Sequence, residues 1–116
     1  MFPPREWTYD WLTEHCLGRF GVVGEPMAMV NQWKFNDLVG QGASRILFTN
    51  GGNDMWNYGG YTQNLSDSIL AINFPNGAHH SEVYARPDDT ADIREGQAQI
   101  ADILSDWLKE IAKEKK

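Results

Sequence analysis

A single cysteine, Cys16, stands in the 116-residue chain, so no disulfide can close within it. Its spacing to the histidines matches no metal-binding motif. Basic residues are scarce as well: Lys and Arg total 10 against 16 Asp and Glu, a net charge of −6. Such a surface repels polyanions, which excludes nucleic acid and anionic membrane as natural partners. No apolar run approaches the roughly 20 residues that a membrane-spanning helix needs. The start, Met1-Phe2-Pro3-Pro4-Arg5, has neither a basic cluster nor an apolar run behind it, so no secretory leader is expected there. Internal repeats and low-complexity tracts are absent, and the length leaves room for one small domain.

What is present belongs to a globular chain: 41% hydrophobic and 22% charged residues, with 12% aromatics that include five Trp. That much aromatic area requires burial, in this core or against another surface. Residues 1–24 are aromatic and punctuated by Gly18, Gly21 and Gly24, with a short helix expected over residues 9–17. Residues 25–39 read as a helix with Pro26 in its first turn and Met27, Val30, Trp33 and Leu38 on one apolar stripe. From about residue 90 to 113 the positions Ile93, Ile100, Ile103 or Leu104, Trp107 or Leu108, and Ile111 recur at helical spacing. Asp88, Asp89 and Thr90 offer N-caps, Asp92 adds charge to the first turn, and Lys113, Lys115 and Lys116 complement the dipole at the far end.

Two short apolar runs remain. RILFTN (45–50) ends at Asn50-Gly51-Gly52, and DSILAINFP (67–75) ends at Asn76-Gly77. Ile46, Leu47 and Phe48 are consecutive rather than alternating, as in a strand covered on both faces of a parallel sheet. The segment between the runs is too long for a hairpin and long enough for a crossover to a parallel neighbour. Strand, loop, strand, loop, helix is an α/β pattern.

Parallel strands bring their following loops to the same edge of the sheet, where open α/β sheets bind ligands. The first loop carries Asp54 and the second, PNGAHH, carries His79 and His80. An Asp delivered beside a His would fix the imidazole tautomer and stabilise the imidazolium that forms on proton uptake. The order acid-then-histidine on consecutive strand ends is that of the last two triad members in α/β-hydrolases. The other reading has Asp54 shaping a Gly-rich turn and both histidines solvated. A metal site from Asp54, His79 and His80 is disfavoured, because adjacent histidines point apart on an extended backbone; no metal and no cofactor is expected.

The runs SRILFTNGGNDMW (44–56), SDSILA (66–71) and NGAHH (76–80) resemble the lysosomal Pro-X carboxypeptidase, dipeptidyl peptidase II and thymus-specific serine protease family of serine exopeptidases. The resemblance is strong over residues 44–80 and general in the last helix. It implies an α/β-hydrolase fold with an inserted helical domain, residues 41–116 forming the C-terminal part of the hydrolase domain with an incomplete sheet. Residues 1–40 match loosely and are assigned to a helical and aromatic segment from the inserted domain. By the resemblance Asp54 is the triad acid, His79 the general base and His80 a neighbour. The implied substrate is a peptide with proline near one end, in a lysosomal or secreted setting. Cys16 then looks like a half-cystine whose partner lies elsewhere, against the plainer reading of a free buried thiol. Asn64-Leu65-Ser66 is a glycosylation sequon that fits the setting. Met55 departs from the family's Pro, and Asn57-Tyr58 interrupts its glycine run.

A Gly-x-Ser-x-Gly elbow surrounds none of Ser44, Ser66, Ser68, Ser81 and Ser105. Without a nucleophile no acyl-enzyme forms, so this chain alone is expected to be inactive. A two-stranded sheet would leave an open edge, which predicts an unstable chain or one that pairs with another chain there. The alternative function is a non-catalytic binding module presenting Trp7, Trp11 and Trp56. Carboxypeptidase and dipeptidyl peptidase activity are not distinguished.

Overall fold

The structure, a computed structural model, describes Pro4 and residues 6–115. The remaining start residues, on which the leader reading rests, and Lys116 lie outside the described residues. Two compact units divide the chain, Met1–Leu38 and Val39–Lys116.

In the first unit, helix α1 spans Tyr9–Phe20. The Thr8 hydroxyl accepts from the Trp11 N–H at 3.1 Å, satisfying one of the helix's free donors. Gly21 ends the helix in the left-handed region, φ 68°, and returns its N–H to the Leu17 carbonyl. Helix α2 is only Ala28–Trp33, far shorter than the expected residues 25–39. It begins at Met27 without a side-chain cap, Pro26 lies in the turn before it, and Lys34 stops it in the left-handed region. Six residues without a cap make a marginal helix. A 3₁₀ turn, Phe35–Asp37, follows. The expected apolar stripe does not form a core, since Met27 and Trp33 are exposed and only Leu38 is buried.

The second unit holds strand β1, Ile46–Gly51, and strand β2, Ile69–Phe74, paired in parallel with Ile46 opposite Ile69 and Asn50 opposite Asn73. Helix α3, Ala91–Glu114, follows and packs on β2. The α/β pattern and the parallel sense are as expected. Phe74 and Ile69, each 1% exposed, form the core with Ile93. Gly96 permits the helix to approach so closely: a Cβ there would lie 2.2 Å from Phe74 Cε1. Along α3, Ile100, Ile103, Trp107 and Ile111 continue the stripe half-buried, whereas Leu104 and Leu108 face solvent. Thr90 is the N-cap by backbone geometry, but its hydroxyl bonds to Asp92 and caps no N–H.

The two sheet edges differ. Ile46 donates to Ser68 and Gly52 to Phe74, so even-numbered residues of β1 face β2 and odd-numbered ones face away. On the far side of β2 the chain covers itself: Ile69 N–H donates to Ser66 Oγ, Ile69 carbonyl accepts from Leu65, and Ala71 N–H donates to Asn64 Oδ1 at 2.8 Å. The outward backbone groups of Leu47 and Thr49 on β1 meet no partner among the described residues. Ile46, Leu47 and Phe48 are half-buried, not covered on both faces as their consecutive run predicted, since α3 packs on β2 rather than on β1. No helix among the described residues is long and apolar enough to cross a membrane.

Candidate active site

The loops that leave β1 and β2 meet backbone to backbone. Asn53 N–H donates to the Gly77 carbonyl at 2.9 Å, and Gly52 N–H donates to Phe74 at 2.8 Å. The approach requires glycine at the end of β1. A Cβ on Gly51 would sit 2.7 Å from the Ala78 carbonyl oxygen, and one on Gly52 2.5 Å from that of Pro75. This contact carries the next residues of each loop, Asp54 and His79, to one another.

His79 Nδ1 lies 2.7 Å from Asp54 Oδ2. The other carboxylate oxygen accepts from the Trp56 N–H at 3.0 Å, because Asp54 caps the 3₁₀ turn Met55–Gly59. The bond to His79 foremost, then the Trp56 N–H and the nearby imidazoles, hold the Asp54 carboxyl below the usual aspartate range. An ionised carboxylate on Nδ1 keeps the imidazole proton there and leaves the Nε2 lone pair free to take another. The side chains are exposed to different degrees, 14% for Asp54 and 51% for His79, so the carboxylate is sheltered and the imidazole presented.

The turn that bears His79 is locked locally. Ala78 N–H donates to Ser81 Oγ at 2.8 Å, and Val83 N–H to the His80 carbonyl. His80 adopts φ 59°, and its ring lies 3.7 Å from that of His79 at 31°. The expectation that the two histidines point apart is therefore corrected: a left-handed turn residue, not an extended one, brings the rings face to face. Among the described residues no group of three or more His, Cys, Asp or Glu is placed to hold a metal ion.

A cleft of about 420 Å³ opens beside the pair, walled by Phe48, Thr49, Trp56, His80 and Glu82. Thr49 donates its hydroxyl to Glu82 Oε1 at 2.7 Å. Asn50, 6% exposed, donates both amide hydrogens, to the Tyr61 carbonyl at 2.8 Å and to Asn73 Oδ1 at 3.1 Å. Thr49, Asn50 and Glu82 went unnoticed in the sequence, although a Thr-Asn pair closing a strand and an acid three residues past a histidine were visible signals. Cys16 is a half-buried free thiol, and Asn64 is exposed with its amide oxygen engaged by Ala71.

Residues 6–100 match the family model described as serine carboxypeptidase S28. The chain belongs to that family. Among S28-related proteins, the lysosomal Pro-X carboxypeptidase of Bos taurus is 33% identical over 85 residues, covering 73% of this chain and 17% of its own length. The thymus-specific serine protease of Mus musculus is 37% identical over 105 residues, 86% of this chain and 20% of its own. The human lysosomal Pro-X carboxypeptidase is 29% identical over 83 residues, 72% of this chain and 16% of its own. This S28 chain thus spans 16–20% of the length of these three relatives. S28 proteins are serine peptidases of the α/β-hydrolase fold, and the two parallel strands with the long last helix are consistent with a part of that fold.

Proposed function

We propose that this chain is the acid-and-histidine arm of an S28 serine exopeptidase, with Asp54 as the triad acid and His79 as the general base. The observation that carries the reading is the 2.7 Å bond between His79 Nδ1 and Asp54 Oδ2. In the assembled enzyme His79 Nε2 would take the proton of a serine hydroxyl during attack and return it to the leaving amine, while Asp54 stabilises the imidazolium. The substrate is a peptide with proline near one end, a reading supported by relatives named Pro-X carboxypeptidase, and the setting lysosomal or secreted by the same support. Carboxypeptidase and dipeptidyl peptidase action remain alternatives. Cys16 would pair with a cysteine elsewhere, and Asn64 would carry a glycan.

The chain alone is inactive on this reading. None of its five serines sits in a Gly-x-Ser-x-Gly turn, and Ser81 Oγ already accepts from Ala78. The open side of β1 takes up a further strand from another part of the enzyme or from another chain. Residues 1–40 belong to the inserted helical domain and 41–116 to the hydrolase domain. A fluorophosphonate serine probe tests the inactivity directly: no covalent adduct is expected by intact-mass measurement, and an adduct blocked by His79→Ala would overturn it. A second reading, a non-catalytic binding module, is favoured by the exposure of Trp7 and Trp56. It is supported instead if the folded chain captures one specific protein through those residues and Asp54→Asn changes nothing.

A further inference from the structure

We infer that Thr49 and Asn50, successive residues at the carboxyl end of β1, are positioning residues that clamp the two site loops so that His79 meets Asp54. The inference rests on the Asp54–His79 pair proposed above, and it assigns the clamps to side chains outside that pair.

Successive side chains on a strand point to opposite faces, so one strand end can reach two different loops. Thr49 takes the histidine side. Its hydroxyl donates to Glu82 Oε1 at 2.7 Å across 33 positions of chain, and Glu82 is three residues beyond His79 in the same turn. The Glu82 carbonyl in addition accepts from Gln97 Nε2 of α3 at 3.3 Å, so the end of the turn is held by a strand and a helix together. Asn50 takes the acid side. The Asp54 loop leaves β1 one residue after Asn50, past Gly51, and returns at Tyr61, whose carbonyl accepts the Asn50 amide. Asn73, opposite Asn50 on β2, accepts the second amide hydrogen and donates to the Thr62 carbonyl at 2.9 Å. The neck of the acid loop is therefore closed by two asparagines across the strand pair. A Cβ at Gly60 would lie 2.8 Å from Asn50 Oδ1, so the returning chain lies against the amide. His79 itself is half exposed and its turn includes a left-handed residue, so its aim depends on what holds the turn's far end.

The test reads the Asp54–His79 bond in the full chain by NMR, through the His79 ¹⁵N tautomer signature and the titration of the Asp54 carboxyl carbon. Thr49→Val keeps the shape and removes the hydroxyl. We expect the bonded population to fall about fivefold, the factor of one neutral hydrogen bond, and the Asp54 midpoint to move up toward the ordinary aspartate value. Thr49→Ser restores both readings. Glu82→Ala reproduces Thr49→Val, and the double variant adds nothing further, since both remove one contact. On the acid side Asn50→Ala moves the Asp54 midpoint in the same direction. Should it fail to fold, Asn73→Ala, which leaves the Tyr61 contact in place, gives a smaller shift of the same sign. A Thr49→Val protein that loses thermal stability while the tautomer and the Asp54 midpoint stay put overturns the inference, as does additivity with Glu82→Ala. An unchanged His79 signature in Asp54→Asn would instead sink the pair itself, and serine-probe labelling of the wild-type chain bears on the inactive-arm reading alone.

Discussion

The units that meet at residues 38 and 39 are both rich in apolar residues, and among the described residues only the second builds a core. In residues 1–38 the helix α1 has no buried residue, and Phe20 is 62% exposed. In residues 39–116 a phenylalanine of the same size, Phe74, is buried between a strand and Gly96 of α3. Amount of apolar surface does not separate the two; arrangement does. In α1, Tyr9, Leu12, Leu17 and Phe20 share one face with Trp11 off it, but nothing among the described residues buries that face. Those of α3 recur along one stripe and meet a strand whose own large residue points at the gap left by a glycine. The candidate site sits in the unit that has this frame, and its geometry depends on the frame's rigidity.

The comparison breaks most sharply at the two phenylalanines. Phe74→Ala is expected to cost about 3–5 kcal/mol, through lost burial and the cavity left beside Gly96. Phe20→Ala is expected to stay within about 0.5 kcal/mol. Urea unfolding of both variants followed by tryptophan fluorescence measures the contrast, and equal losses would end it.

Acid should act on the second unit next. Asp54 is held down by His79 and the Trp56 N–H, and Asp92 by the Thr90 hydroxyl and then by the Asn76 N–H at 3.1 Å. A carboxyl with a lowered folded pKa stabilises the fold above its unfolded value of 3.8. That contribution is lost as pH falls through the folded value. The unfolding midpoint should hold from pH 7 to about 5 and drop below about 4. Asp92→Asn should start lower at neutral pH and drop less, since its share is already gone. A midpoint for wild type that rises on acidification would contradict the assignment.

The smallest effect belongs to the first unit. Thr8→Ala removes the hydroxyl that caps Trp11 and should cost α1 about 1 kcal/mol. Amide exchange along residues 9–20 should quicken, while the amides of β2 stay as they were. Coupled quickening in β2 would mean that the two units share stability after all.

Several features were legible before any coordinates. Helix α3 followed from the spacing of Ile93, Ile100 and Ile111, and the parallel pair from two short apolar runs joined by a long connection. Asp54 and His79 stood out because each lies two residues past a glycine in the loop that follows a strand. Other features were not legible. The stop of α2 at Lys34 depends on a left-handed residue that carries no glycine or asparagine to announce it. Nothing in the sequence marked Gly96 as the position that admits the Phe74 ring. The stacked histidines depend on the turn conformation of His80, which no adjacent pair of residues reveals by itself.

Local order came from the residues alone: hydrophobic period sets which stretches coil and which extend, and glycine placement sets where they turn. Those are properties of neighbours in the chain, and here they placed Asp54 and His79 in the loops after two strands, while the roles of acid and base came from the family resemblance. Whether Asp54 reaches His79, and that Thr49 reaches Glu82 across 33 positions, was decided by strand register and by two loop backbones in contact. Distances of that kind belong to the packed sheet, because only closure of the chain on itself brings remote groups within the length of a hydrogen bond.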